Sequence, residues 1–221
     1  MVHRLTRFGF VNAYLVEEED GLTVVDTMVG GSADAILTAA TALGRPIVRI
    51  ACTHAHGDHI GSLDQLAARV PGAEVLISER DARLLAGNRA GLPGEPDGAR
   101  VRGSVPGART RPTRLLRHGD RVGSLEVVAS PGHTPGHLAF LDTRDRTLYC
   151  GDAYTTIGGV ATSARGWWWF PLASVATWHR PTALASARTL RALDPARLAA
   201  GHGRPVESPV AAMERAIGRG A

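Results

Sequence analysis

The chain contains no lysine, so all 25 of its basic residues are arginine. Arginine stays protonated at any pH, and a formal net charge of +4 follows from it. The arginines are scattered and become dense only from Arg100 to Arg117. They form no concentrated patch of the kind that binds phosphate backbones, and no nucleic-acid partner is expected. Cysteine is scarce: Cys52 and Cys150 are the only two, too few for a disulfide framework. No apolar run is long enough to span a bilayer, so no membrane partner is expected. The opening stretch, MVHRLTRFGFVNAYLV, alternates like a strand and carries charge early. It lacks the long apolar core and small-residue cleavage site of a secretory leader. These absences together predict a cytoplasmic protein with reduced thiols. A Gly-x-Ser-x-Gly elbow is missing too, so no serine nucleophile of that type is expected.

What is present suits one globular domain over residues 1–221, long enough to bury a real core. Phe10 to Val16 and Leu22 to Asp26 flank the polar turn EEEDG and read as a hairpin. Ser32 to Leu43 reads as a helix capped by Ser32 and ended by Gly44 and Pro46. Further strands are expected at Ile47 to Ala51, Ala73 to Ile77, Arg121 to Ala129, Leu138 to Asp142, Thr147 to Cys150 and Arg197 to Ala200. Helices are expected at Leu63 to Val70, Glu79 to Ala86, Thr182 to Leu193 and Pro209 to Ile217. Strands and helices that alternate in this way argue for an α/β fold. A stretch rich in Gly, Pro and Arg breaks the pattern and predicts a loop insertion around residues 87–118. Long loops of this kind serve as lids or binding segments, although its arginines read more simply as solvated.

The chemistry gathers at strand ends. THAHGDHIGS follows the strand ending at Ala51 and supplies His54, His56, Asp58 and His59. His133 lies in SPGHTPGH, Asp152 in YCGDAY and His202 in AAGHGRP. Each site repeats one grammar: an apolar strand, a small residue or glycine, then a ligand-type side chain. Strand C-termini are where a sheet presents reactive groups. Imidazole with carboxylate suits zinc, manganese or iron. Five histidines and two aspartates are too many for one tetrahedral ion and suit two ions that share a carboxylate. His3, His118 and His179 stand alone and read as surface or core residues. Cys52 and Cys150 each precede a ligand-type residue by two positions and read as packing.

The order His-x-His-x-Asp-His, His, Asp, His resembles the metallo-β-lactamase superfamily, and within it the glyoxalase II-like and lactonase-like branch. TVVDT resembles the strand-end aspartate motif that precedes this series in the family. The resemblance runs from the first hairpin to His202. It implies a four-layer αββα sandwich with the metals at one edge between the sheets. It also implies that His54, His56 and His133 hold one ion, that Asp58, His59 and His202 hold a second, and that Asp152 bridges them. Asp26 would fix the ligand loop by hydrogen bonds. His137 belongs to the motif but reads as structural rather than as a ligand.

Two divalent ions, zinc first with manganese or iron as alternatives, lower the pKa of a shared water. The expected activity is therefore hydrolysis of an ester, thioester or lactone by a metal-bridging hydroxide, with Asp58 both binding metal and orienting the nucleophile. Lactonases in the family place a tyrosine near the metals. Tyr154, two residues after Asp152, is the candidate for that role, with burial in the core as its other reading. Only about twenty residues follow His202, too few for the helical extension that binds glutathione in glyoxalase II. Trp167, Trp168 and Trp169, read as strand residues, would point to alternate faces and leave at least one to line a pocket for an acyl or other apolar group. The substrate is expected to be a small molecule, and a homo-oligomer is compatible with the chain. Rival readings are a mononuclear-iron persulfide dioxygenase, a phosphodiesterase or nuclease on the same fold, and a non-catalytic binding module. The complete ligand set argues against the last.

Overall fold

In the computed structural model, which describes residues 2–220, β1 (His3–Arg7) pairs antiparallel with β2 (Val11–Glu18). Met1 and Ala221, the ends of the expected domain, lie outside the described residues. A two-residue turn, Glu19-Asp20, returns β2 onto β3 (Gly21–Val25). From there the sheet continues in parallel through β4 (Ile47–Ala51), β5 (Glu74–Ser78) and β6 (Arg114–Leu116). A second six-stranded sheet is formed by β7 (Arg121–Val122), β8 (Leu125–Ala129), β9 (Leu138–Asp142), β10 (Thr147–Gly151), β13 (Arg197–Ala200) and β14 (Val206–Glu207). A small hairpin, β11 (Tyr154–Thr155) with β12 (Ala161–Thr162), lies between β10 and β13 in the chain.

The strands alternate, and both of their faces are buried. Tyr14 and Val16 of β2, Ala51 of β4 and Leu76 of β5 face Val127, Leu138, Phe140 and Tyr149 of the second sheet across one shared core. Val11, Ala13 and Leu15 of β2, Val24 of β3 and Ile50 of β4 turn the other way. They pack under α1 (Ala33–Ala42), α3 (Leu63–Arg69) and α4 (Glu79–Leu85) through Ile36, Leu63, Leu66 and Leu84. The one-turn helix α2 (Gly57–Ile60) precedes α3 in the chain. On the far side, Val128, Leu141, Leu148 and Leu198 pack under α6 (Arg180–Ala192) and α7 (Val210–Gly220) through Leu190 and Met213. A four-residue helix, α5 (Leu172–Val175), lies just before α6. The order of layers is helix, sheet, sheet, helix, as expected of the αββα sandwich. Among the described residues no helix is long and apolar enough to cross a membrane.

Parallel pairing decides where the functional loops go. β3, β4 and β5 run in one direction, so Asp26, the His54 loop and Ser78 leave the first sheet at one edge. β10 is parallel to β13, and β8 runs the same way because two antiparallel pairings separate it from β10. The loops carrying His133, Asp152 and His202 therefore leave the second sheet at a common edge.

Several local expectations differ from the structure. Arg121 to Ala129 is not one strand: Gly123, at φ +58°, folds it into the β7–β8 hairpin. The expected insertion at 87–118 ends early, because Arg114–Leu116 pairs with β5 as an edge strand. Ser32 precedes α1 but donates its hydroxyl to Val29 O instead of capping the helix. The tryptophans are not in a strand either. Trp167 O accepts from Phe170 N in a tight turn, which stacks Trp167 on Trp169 with ring centroids 4.6 Å apart.

Candidate metal centre

The loop after β4 turns sharply because α2 begins immediately after His56. That single turn of helix sends Asp58 and His59 to one side while His54 and His56 stay on the extended segment before it. Asp26, in the left-handed region at φ 62°, fastens the loop from below. Thr53 N donates to its Oδ1 at 2.7 Å and Thr53 Oγ1 to its Oδ2 at 2.8 Å. His59 Nδ1 donates to Oδ2 at 2.7 Å.

Donor groups converge in three overlapping sets: His54, His56 and His133; His54, His59 and Asp152; Asp58, His59 and His202. Within each set, the ligand-type atoms lie within 4.8 Å of one another. Asp152 touches rings of both expected ligand sets. Its Oδ2 is 3.5 Å from His133 Nε2 and 3.1 Å from His202 Nε2, and its Oδ1 is 3.3 Å from His59 Nε2. Asp58 Oδ2 lies 3.2 Å from His202 Nε2.

The hydrogen bonds assign the ring tautomers, since a neutral imidazole has one donor and one acceptor nitrogen. The Thr53 hydroxyl proton is committed to Asp26, so His54 Nδ1 donates to Thr53 Oγ1 at 2.9 Å and Nε2 carries the lone pair. His56 Nε2 faces the carbonyl of Arg102 at 2.9 Å, which can only accept, so the lone pair of His56 is on Nδ1. The Thr177 hydroxyl proton is committed to carbonyls, with Ala173 O at 2.7 Å and Ser163 O at 2.9 Å. His133 Nδ1 therefore donates to Thr177 Oγ1, and Nε2 keeps its lone pair. His56 Nδ1 and His133 Nε2 thus face each other at 2.9 Å lone pair to lone pair. That contact is repulsive unless a cation lies near both. His54 Nε2, His59 Nε2 and Asp152 Oδ1, all turned toward the other donors, are buried with no hydrogen-bond partner. Buried polar atoms in folded proteins are normally paired, so this concentration of orphans fits a metal centre.

The electrostatics divide the site in two. Burial and neighbouring rings hold His54 and His133 well below the ordinary histidine pKa, as neutral rings. Burial also opposes charge on His59, but Asp152, Asp26 and Asp58 outweigh it and hold that pKa well up. His202 behaves likewise: against burial, Asp152 and Asp58 raise it to about 9. Asp58 and Asp152 are depressed despite burial, by His59 and His202. The carboxylates demand positive charge between His59 and His202, the field a divalent cation meets.

His137 lies among these rings, but both of its nitrogens are engaged. Nδ1 pairs with Ser130 Oγ at 2.8 Å and Nε2 accepts from Asp152 N at 3.1 Å. Tyr154 corrects the expectation placed on it. Its ring is fully buried in the core under α6 and its hydroxyl donates to Ala187 O at 2.7 Å, so it reaches neither the metal donors nor a substrate. Cys52 and Cys150 are buried free thiols, and burial pushes both pKa values up.

A cavity of about 710 Å³ opens onto the donors. Its walls are apolar: Val29, Pro106, Leu172, Ala173, Val175 and Ala176. Among the described residues, its only charged or ionisable lining groups are His56, Asp58, His133, Asp152 and His202. The three tryptophans do not line it; Trp168 is 85% exposed and faces outward. Phe170 instead turns in, 5.5 Å from the His202 ring and 5.7 Å from Phe10. The Arg-rich loop contributes backbone rather than charge. Gly103 passes so close to His56 that a Cβ there would lie 2.9 Å from Nε2.

Sequence reasoning missed Asp81. It lies at the third position of α4 in Ser78-Glu-Arg-Asp81, a capping-box pattern. Ser78 does cap, accepting from Asp81 N at 3.0 Å, but the Asp81 carboxylate does not reciprocate. It accepts instead from Ala55 N, Thr134 Oγ1 and Gly136 N. Asn12 was missed as well: its amide donates to Ala200 O and Gly203 O on either side of His202.

A family model described as the metallo-beta-lactamase superfamily matches residues 6–202. The uncharacterised protein YobT of Bacillus subtilis is 46% identical over 208 residues, which cover 94% of this chain and 89% of YobT. A hydroxyacylglutathione hydrolase of Gloeobacter violaceus is 32% identical over 158 residues, 69% of this chain. The match spans about half of that relative, 52% of its length. The crystal structure of TTHA1623 in a di-iron-bound form superimposes with a TM-score of 0.67 at 25% identity, covering 95% of this chain and 96% of that one.

Proposed function

The chain belongs to the metallo-β-lactamase superfamily, and from that premise we propose that it is a dinuclear metal-dependent hydrolase acting on an ester, thioester or lactone with an apolar acyl part. The observation that carries this reading is the inward set of lone pairs, on His54 Nε2, His56 Nδ1 and His133 Nε2, beside His59 Nε2 and the carboxylates of Asp58 and Asp152. His54, His56 and His133 would hold one ion, Asp58, His59 and His202 the other, with Asp152 shared. Zinc is the expected ion, and manganese or iron suits the same donors.

When bound, such ions supply Lewis acidity and lower the pKa of water. The residues of this chain do the rest. Asp58, the most accessible of the donors, orients the attacking water from the cavity floor. Val29, Leu172 and Val175 take the acyl part and exclude water from the carbonyl. Among the described residues no arginine lines the cavity to meet the carboxylates of a glutathione conjugate, which favours neutral esters and lactones over glutathione thioesters.

Elemental analysis of protein purified without chelator, followed by a panel of lactones, thioesters and phosphodiesters, tests the reading. About two ions per chain with turnover of the neutral acyl substrates supports it. One iron per chain with oxidation of persulfides would replace it with the dioxygenase.

A further inference from the structure

The two loops that supply the first ligand set are far apart in sequence, yet one buried side chain holds both. Asp81 is fully buried at the start of α4. Its Oδ2 accepts from Ala55 N at 3.0 Å and from Thr134 Oγ1 at 2.7 Å, and its Oδ1 accepts from Gly136 N at 2.8 Å. Ala55 is the residue between His54 and His56, and Thr134 directly follows His133. All three members of the His54, His56 and His133 set are therefore one residue from a hydrogen bond to this carboxylate. The approach is close enough to require glycine at 136, where a Cβ would lie 2.4 Å from Ser78 Oγ and 2.6 Å from Asp81 Oδ1.

The second set is held by other means. Asp26 fixes the His59 ring, and Asn12 grips the backbone on both sides of His202. Asp81 makes no hydrogen bond to Asp58, His59 or His202 or to their immediate neighbours.

We propose that Asp81 is a positioning residue specific to one half of the metal centre: it sets the spacing of His54, His56 and His133 for the first ion and leaves the second ion's ligands alone. The inference rests on the dinuclear reading above. Hydrogen-bonded groups behind metal ligands typically account for about 10- to 100-fold in affinity, and here the loss should fall on one ion.

The test is chelator-competition titration of zinc with the full-length protein, resolving the two affinities, alongside the thermal midpoint of the metal-free form. Asp81→Asn should weaken one ion about 10- to 100-fold and the other less than about twofold. Ser78→Ala, which removes the helix cap but no hydrogen bond to a ligand loop, should lower the metal-free midpoint and leave both affinities unchanged. Thr134→Val, which removes one of the three bonds, should weaken the same ion as Asp81→Asn by a smaller factor, and it decides the matter if Asp81→Asn does not fold. Equal weakening of both ions in Asp81→Asn and Thr134→Val, or wild-type affinity for both ions in those two variants, overturns the proposal while the dinuclear reading stands. A wild-type protein that binds fewer than two zinc ions overturns both.

Discussion

Asp26 holds His59 by its Nδ1 at 2.7 Å, so that Nε2 is the nitrogen turned toward Asp152. The same carboxylate takes both the amide and the hydroxyl of Thr53, and Thr53 in turn sets the tautomer of His54. One aspartate therefore orients a ring in each of the two expected ligand sets. Asp26→Asn keeps the shape but puts an amide where two donors already point. We expect metal affinity to fall about 10- to 100-fold, and, unlike the Asp81 substitution, at both ions. Chelator competition measures it.

Tyr154→Phe distinguishes a core tyrosine from a catalytic one. The hydroxyl touches only Ala187 O of α6. Its removal should lower unfolding free energy by about 1 kcal/mol and change kcat/KM by less than about twofold. A loss of a hundredfold or more, about 2.7 kcal/mol of transition-state stabilisation, would restore the tyrosine to the reaction.

The apolar wall makes chain length the natural probe of specificity. Each methylene buried is worth up to about 0.8 kcal/mol, roughly fourfold in kcat/KM. A homologous series of acyl esters should gain by up to that factor per carbon until the cavity fills. Leu172→Ala should flatten the series at the long end and leave the shortest substrate unchanged. A flat series in the native protein would show that the acyl part lies elsewhere.

At the opposite end of the sandwich, Asp142 accepts from Arg144 Nε at 3.0 Å and Nη2 at 2.6 Å, while Arg144 Nη1 reaches Glu17 O in the first sheet. Burial opposes the charge on Asp142, but the hydrogen bonds from Arg144 outweigh it and hold the pKa below the ordinary carboxylate value. The unfolded chain then binds a proton more readily than the folded one. The ionised pair stabilises the fold fully above the ordinary value of 3.8 and loses that contribution as pH falls through the lower folded value. Asp142→Asn should cost about 1.5–3 kcal/mol at neutral pH, and the gap to wild type should close in acid. Urea unfolding midpoints at several pH values report it, and a gap that widens in acid would reverse the assignment.

Much of this architecture was legible before any coordinates. The alternating opening stretch and the short, mostly apolar segments of β4 and β10 marked strands. Glycine and small residues after those strands marked where ligand-type side chains leave the sheet. These are local signals, carried by neighbours in the chain. The β7–β8 hairpin and edge strand β6 were less legible, because a short pairing depends on a distant partner as much as on its own residues.

The sequence by itself singled out the candidate donors, His54, His56, Asp58, His59, His133, Asp152 and His202, and pointed to the layered α/β class, since spacing and strand-end position are one-dimensional facts. Only the tertiary structure decided how those donors are aimed and what supports them. Tyr154 and Asp152 are two residues apart, yet they face opposite ways from the end of β10, one into the core under α6 and one into the site. Asp81 looks like a helix cap in the sequence, and its carboxylate is spent on two loops that lie 26 and 55 residues away. Hydrogen bonds of that reach form only when the sheets have packed, because the backbone groups they satisfy are buried together by the fold and not by the chain.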